Sequence, residues 1–188
     1  TVMELADEAL LKRSAKGDRQ ASALLINRHS SRVLSLAQRM LGSREDAEDV
    51  SQEVFLKVFQ QADKWVQKDA KFSTWLHRVT LNQCYDRLRK KREMGMAEPP
   101  DREDDSPGPP EQMLARQRQV RLQAAIAELP ERQRAALLLS HYEEMNNIEA
   151  AEVLEISVEA VESLLSRARR SLRQALSAER SVLMGQVE

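Results

Sequence analysis

The chain has 188 residues, of which 41% are hydrophobic and 31% charged, and its formal net charge is −1. This length fits one domain or two small ones, and the net charge excludes nucleic-acid binding through an overall excess of cations. A single cysteine, Cys84, excludes an internal disulfide framework and favours a reducing compartment. No run of eighteen apolar residues occurs, and we expect a soluble, cytoplasmic protein without a signal peptide.

The scarcity of glycine and proline is typical of a helical protein. Only 5 Gly and 6 Pro occur, and five of the prolines lie within 99–110. No segment alternates Val, Ile or Thr with polar residues in the manner of a half-buried strand. We therefore predict an all-α fold.

The first half of the chain is predicted to form successive amphipathic helices. Apolar spacing indicates helices at about 5–15 and 20–41, and Gly42 is a natural terminator for the second. Ser43 is expected to cap a third helix, whose first turns carry acids where the helix dipole favours them. The residues of this helix that would face a core are Ala47, Val50, Val54 and Val58.

A predicted loop at 61–71 leads to a strongly basic helix at about 73–91. Between Lys71 and Arg92, seven Lys or Arg stand against one acid, a net charge of +6. Such a face binds phosphates without reading base identity. Four of the seven aromatic residues lie in or beside this region, namely Trp65, Phe72, Trp75 and Tyr85.

The rings of Trp65, Phe72 and Trp75 have two interpretations. Flat rings stack on bases that have left the duplex, at about 1–3 kcal/mol per base, so rings beside cations would hold single-stranded nucleic acid. Alternatively the rings anchor a core, as aromatic residues commonly do. Both interpretations stay open for Phe72 and Trp75, whereas Trp65 stands in a polar loop where an exposed ring is expected.

The composition changes abruptly at residues 93–112, EMGMAEPPDREDDSPGPPEQ. This segment holds seven acids, one Arg and most of the prolines, and it lacks the apolar residues needed to fold. We predict a flexible, acidic, Pro-rich linker at 93–113 between two small helical domains, 4–92 and 114–176, followed by a tail at 177–188.

The second domain ends in the pattern of a helix-turn-helix, two helices joined by about three residues. Pro130 occupies a first-turn position of an earlier helix. Glu155 stands in the turn, where many such motifs use Gly to allow a positive φ, and Ser157 would cap the second helix. The residues of the second helix that would pack inward are Val161, Leu164, Leu165, Ala168 and Leu172.

The opposite face of this second helix is rich in Arg and Ser. Arg pairs with guanine edges or binds phosphates, and Ser donates to phosphates, so we interpret the face as a reader of duplex DNA; an ordinary solvated helix with an Arg-rich end is the alternative. Ser157 belongs to the candidates because a helix N-terminus can meet a phosphate. The other candidates are Glu159, Ser163, Ser166, Arg167, Arg169, Arg170 and Arg173.

Four motifs follow one another along the chain. They are DAEDVSQEVFLKVF at 46–59, FSTWLHRVTLNQCYDRLRKKR at 72–92, ELPERQRAALLL at 128–139, and the final helix-turn-helix. Together with the acidic linker, they resemble the extracytoplasmic-function sigma factors, group IV of the sigma-70 family, which are promoter-specificity subunits of bacterial RNA polymerase. The resemblance covers nearly all of 4–176.

The resemblance implies that 46–59 docks on a coiled coil of the largest polymerase subunit. Phe55 and Phe59 would lie at the margin of its polar face, although internal packing is an alternative for either ring. The residues implied in this contact are Asp46, Asp49, Gln52, Glu53, Phe55, Lys57 and Phe59.

The resemblance also implies that the loop at 62–71 and the basic helix recognise and melt the promoter −10 element, while the second domain reads the −35 element as duplex. Arg78 and Asn82 lie one helical turn apart where the family contacts −10 DNA. The residues implied in −10 binding are Lys64, Trp65, Lys68, Lys71, Phe72, Trp75, Arg78, Asn82, Arg87, Arg89 and Lys90.

The implied partners are core RNA polymerase, promoter DNA and an anti-sigma factor, without membrane insertion. No cofactor, metal or enzymatic activity is expected, because His29, His77 and His141 lie far apart and no Gly-rich phosphate loop or Cys/His spacing occurs. Two alternatives stay open. One is a free-standing helix-turn-helix regulator that binds duplex DNA without polymerase, and the other is an all-α adaptor.

Overall fold

In a computed structural model of the protein, residues 1–65, 71–96 and 108–185 are described, with side chains as far as 178. These residues form a short 3-10 turn, nine α-helices and no strand. The helices are α1 (Asp7–Ala15), α2 (Arg19–Leu41), α3 (Arg44–Gln60), α4 (Ala62–Trp65), α5 (Phe72–Glu93), α6 (Pro110–Ala127), α7 (Glu131–His141), α8 (Asn147–Leu154) and α9 (Val158–Gly185).

The chain divides into two units, Thr1–Ala97 and Glu98–Glu188. The prediction of an all-α chain with two helical domains is therefore confirmed. None of the described helices is long and apolar enough to cross a membrane.

Local capping sets the helix ends in the first unit. Gly42 ends α2 in the left-handed conformation, with φ 69° and ψ 11°, a region that costs an L side chain about 1–2 kcal/mol. Ser43 then caps α3, since its Oγ accepts a hydrogen bond from Asp46 N. Both ends agree with the sequence prediction.

The core of the first unit lies between α2, α3 and α5, with α1 packed on α2. The valines predicted to face a core do so, because Val50, Val54 and Val58 are fully buried. The largest side chains that join them with less than 2% exposure are Phe72, Leu10, Leu11, Leu25, Met40 and Leu81. This core holds α3 and α5 against each other and leaves their outer faces in solvent.

Several predicted boundaries are corrected. The predicted loop at 61–71 contains α4, and α5 runs from Phe72 to Glu93, slightly longer than expected at each end. Helix α6 begins at Pro110, inside the predicted linker, and Pro130 is the N-cap of α7 rather than its first-turn residue. Residues 97–107 of the predicted linker lie outside the described residues.

The second unit is built around α7. The run from Ala135 to Leu139 is buried on every side, as expected of a helix at the centre of a small domain. Arg134 is 8% exposed and donates to the backbone oxygens of Ile126, Ala127 and Leu129. The guanidinium therefore satisfies carbonyls at the C-terminal end of α6, where the helix itself offers no partner.

Candidate nucleic-acid and polymerase interfaces

The helix-turn-helix of the second unit forms as predicted. Asn146 opens α8 with a capping box that includes Glu149, and three residues separate α8 from α9. Glu155 takes the left-handed conformation there, with φ 57° and ψ 41°, although a non-glycine residue pays about 1–2 kcal/mol for it. Ser157 caps α9 by accepting a hydrogen bond from Ala160 N at 3.1 Å.

Helix α9 is anchored on one side and open on the other. Val161, Leu165 and Ala168 are buried, while Leu164 and Leu172 are half-buried. All eight residues predicted to bind −35 DNA are exposed, namely Ser157, Glu159, Ser163, Ser166, Arg167, Arg169, Arg170 and Arg173. The sequence-derived division of this helix into two faces therefore agrees with the structure.

On α5, the predicted −10 residues separate into two groups. One group consists of Lys71, Trp75, Arg78, Asn82 and Arg89. Successive members are three, four or seven positions apart, so they share one helix face. Along this outer stripe, Lys71, Asn82 and Arg89 are exposed, and Trp75 and Arg78 are half-buried. The stripe offers cations, an amide and one ring side by side.

Two of the predicted stacking residues lie inside the protein. Phe72 is fully buried and Trp65 is 5% exposed. The ring of Phe72 meets Trp65 and Trp75 edge-on at 6.1 Å in each case, and Trp65 and Trp75 are stacked at 5.6 Å. The expectation of an exposed Trp65 ring is thus wrong in this structure, because α4 turns the indole into the core; Trp75 alone of the three reaches the surface.

The second group on α5 contains the predicted residue Arg87, together with Lys91, which the sequence analysis did not select. They stand seven and eleven positions after the buried Thr80, so they fall on the face that meets α3. Arg87 lies 3.6 Å from Asp46 Oδ1, 3.6 Å from Asp49 Oδ2 and 3.7 Å from Glu53 Oε1. Lys91 also pairs with Asp46.

This network joins two residue sets that the sequence assigned to different partners. The resemblance implies polymerase binding for the three acids and −10 binding for Arg87, whereas in the structure Arg87 pairs with Asp46, Asp49 and Glu53 within the first unit. Asp46 is only 9% exposed, so it holds α3 to α5 rather than facing outward. In the orientation of the Gln83 amide that suits both neighbours, its nitrogen donates to Glu53 and its oxygen accepts from Lys57.

The outer face of α3 differs from the prediction at its apolar residues. Phe55 is 7% exposed and packs near Phe59, with ring centroids 6.4 Å apart, so the internal alternative holds for Phe55. Leu56, which the sequence analysis did not select, is 61% exposed. It stands nine positions, or two and a half helical turns, after the buried Ala47. Helical phase therefore places it on the face opposite Ala47, so its exposure could have been predicted from the sequence.

The remaining predicted residues are solvent-facing or lie outside the described part. Gln52, Lys57, Lys64 and Lys90 are exposed, and Phe59 is half-buried. Lys68 falls in 66–70, outside the described residues.

Comparisons with known proteins agree with this layout. The family model for sigma-70 region 2 matches residues 25–94, and the model for sigma-70 region 4 matches 112–172. The ECF RNA polymerase sigma factor SigW of Bacillus subtilis is 30% identical over 93% of this chain and 98% of its own length.

Two solved structures share the architecture. CnrH in complex with the cytosolic domain of CnrY is 28% identical, with a TM-score of 0.69 over 92% of this chain and 97% of the other. The sigma factor RpoE of Bartonella quintana, in complex with the anti-sigma factor NepR, is 19% identical, with a TM-score of 0.63 over 81% and 94%, and supports the fold alone. On the two region matches and the identity to SigW, the chain belongs to the extracytoplasmic-function sigma factors of bacterial RNA polymerase.

Proposed function

We propose that this chain directs RNA polymerase to a subset of promoters by reading intact duplex with α9 and holding the separated −10 strand on the outer stripe of α5. The observation that carries this proposal is the two-faced α9. Its apolar face is buried in the second unit, while eight polar candidates face solvent on a correctly capped helix-turn-helix.

Helix α9 suits the major groove of the −35 element. A groove about 12 Å wide admits one helix, and Arg side chains can pair bidentately with guanine there. Arg167 and Arg170 are exposed, one turn apart, and lie opposite the buried Leu165 and Ala168. These two are our candidates for base contact, and the Ser side chains and the N-terminus of α9 are candidates for phosphate contact.

The outer stripe of α5 suits a strand that has left the duplex. Lys71 and Arg78 supply charge for phosphates, Asn82 offers both a donor and an acceptor to a base edge, and Trp75 offers a partly exposed ring. Trp65 and Phe72 support the Trp75 ring from inside, so we assign them a packing role in place of direct stacking.

The outer face of α3 is our candidate for polymerase binding. Leu56 is an exposed apolar side chain among Gln52, Glu53 and Lys57. A central apolar contact ringed by polar groups is the usual composition of a protein interface. The Asp46 carboxylate belongs to the internal network and is left out of this surface.

The partner classes follow from the relatives. RpoE is bound by the anti-sigma factor NepR, and CnrH by the cytosolic domain of CnrY, and we propose a partner of this kind here. Because bacterial RNA polymerase works in the cytoplasm, we place the protein there. The families that match are DNA-binding regulators with no catalytic family among them, and we propose no enzymatic step and no cofactor.

In vitro transcription tests the proposal. Genomic fragments are transcribed by core polymerase with and without the chain, and we expect new start sites that depend on it. If the two reactions give the same transcripts, the sigma-factor proposal is refuted. Specific duplex binding by the chain alone, without any effect on core polymerase, would support the free-standing regulator, which the match to both sigma regions does not favour.

The −10 assignment has its own test. Asn82→Ala is expected to slow promoter opening while affinity for core polymerase stays unchanged, because the Asn82 side chain is exposed on the outer stripe of α5 and not on the α3 face. Loss of core affinity equal to the loss of opening would contradict base contact by Asn82. Trp65→Ala is less informative, since truncating a buried Trp typically costs about 3–5 kcal/mol of folding free energy.

A further inference from the structure

The first turn of α5 is capped from a distant part of the chain. Its N-cap residue, Lys71, makes no side-chain capping bond. Instead Phe72 N donates a hydrogen bond of 3.2 Å to Glu8 Oε1 of α1, 64 residues away in sequence. The first N–H groups of a helix lack intrahelical partners, and a carboxylate is favoured at this end by the helix dipole.

The main chain of α1 is anchored on either side of Glu8. Leu10 and Leu11, just after it, are fully buried. Asp7, just before it, lies 2.9 Å from His29 Nε2 and 3.2 Å from Arg28 Nη1 on α2. Contacts on both sides of Glu8 therefore hold the main chain that carries its side chain.

The residue that Glu8 caps is also the centre of the aromatic cluster. The buried Phe72 ring contacts Trp65 and Trp75 at 6.1 Å and His29 at 5.3 Å. Trp75 begins the next turn of α5 and belongs to its outer stripe. Any displacement of the first turn would move Trp75 and, one turn further, Arg78.

We infer that Glu8 is a positioning residue for promoter opening, acting through the Phe72 amide and the aromatic cluster to set where the outer stripe of α5 begins. This inference rests on the proposed function. Glu8 itself does not touch DNA. The opposite view, in which the carboxylate occupies a helix N-terminus that a DNA phosphate needs, predicts faster opening when Glu8 is removed.

The first arm of the test needs neither polymerase nor DNA. Amide exchange at Phe72 is measured in the wild-type chain and in the Glu8→Ala, Glu8→Gln and Glu4→Ala variants, with Trp emission recorded in parallel. The chain has two tryptophans, both in this cluster, so emission reports it directly. Glu4 is a matched control because it is an exposed acid near Glu8 that pairs with the N-terminus of the chain.

We expect Phe72 exchange to rise about tenfold in Glu8→Ala, the scale of one lost hydrogen bond to a charged group. Glu8→Gln keeps an acceptor oxygen and should retain most of the protection, and Glu4→Ala should match the wild type. Unchanged exchange in Glu8→Ala would overturn the capping role. The melting temperature of each variant checks that the first unit remains folded.

The second arm measures opening with core polymerase on a promoter selected in vitro by the wild-type holoenzyme, using permanganate reactivity of the −10 thymines. Glu8→Ala should slow opening about tenfold, as small misplacements of a working group do, with core affinity unchanged, and Glu8→Gln should restore it. Normal or faster opening in Glu8→Ala, or equal slowing in Glu8→Gln, overturns the inference. A wild-type chain that opens no promoter refutes the sigma-factor proposal instead, and the exchange arm still decides the cap.

Discussion

Replacing Arg87 by Met tests whether this cation works inside the first unit. The substitution removes the charge and keeps most of the apolar stem. Arg87 is 26% exposed and lies 3.6–3.7 Å from three carboxylates, those of Asp46, Asp49 and Glu53. One such pair is worth about 1.2 kcal/mol at the dielectric constant of water and about 4.6 kcal/mol at an effective value of 20.

The net stabilisation by Arg87 is smaller than these Coulomb energies, because two effects oppose them. Burying the guanidinium costs desolvation energy, and Asp49 and Glu53 are each 53% exposed, where solvent screens them. We therefore expect Arg87→Met to lower the free energy of unfolding of the first unit by about 1–2 kcal/mol.

Urea denaturation followed by Trp fluorescence is the appropriate assay. Both tryptophans lie in the Thr1–Ala97 unit, so the signal reports that unit without the second one. With a slope of about 2 kcal/mol/M, in the middle of the usual range for small proteins, the midpoint should fall by about 0.5–1 M.

Arg89→Met is the matched control for Arg87→Met. Its side chain is 59% exposed and makes an i,i+3 pair with Asp86, a pair that is worth about 0.2–1 kcal/mol at most. Equal midpoints for the two variants would refute the idea that the α3–α5 network stabilises the unit.

Three further predictions concern the polymerase surface, the −35 surface and the N-terminal cap of α2. Leu56→Asp should weaken core-polymerase binding at least about tenfold, as lost interface anchors do, in a binding titration where the exposed Ile26→Asp serves as control; equal effects would remove α3 from the interface. Arg170→Ala should weaken use of the upstream promoter element by about 1–3 kcal/mol, whereas Arg19→Ala on α2 should leave promoter selectivity as it is. Asp18→Asn should reduce the loss of unfolding free energy that the first unit shows as the pH falls below about 4. The Ala21 N–H, together with Arg13 and the Gln20 N–H, lowers the pKa of Asp18, so its stabilising contribution is complete above the unfolded pKa of about 4 and disappears as pH falls through the lower folded value. If the free energy of unfolding of the wild type and of Asp18→Asn depends on pH in the same way, this role for Asp18 is contradicted.

The features that short-range sequence could predict are the helix ends and the faces of α9. Gly42, Ser43, Glu155 and Ser157 act within a few residues of themselves, so their conformations follow from local chemistry. Helical phase divided α9 into a buried and an exposed face. The same phase would have assigned Arg87 to the inner face of α5, had it been applied to the cations there.

Other features depended on packing between distant segments. Phe55 and Leu56 are adjacent, about 100° apart around the helix, and only the surroundings of α3 decide which apolar side chain is covered. Trp65 is buried because α4 forms between α3 and α5 and carries its ring against Phe72, and a loop of polar composition gave no indication of that helix.

The sequence by itself determined an all-helical chain of two units, a helix-turn-helix with a capped reading helix, and a basic α5. Each of these rests on periodicity and capping, which act over three or four residues. Tertiary structure alone decided that Arg87 neutralises acids of α3 and that Glu8 caps α5, because these partners are separated by dozens of residues and meet only after the core has formed. Side-chain identity limits what a residue can do, and packing decides which partner it meets.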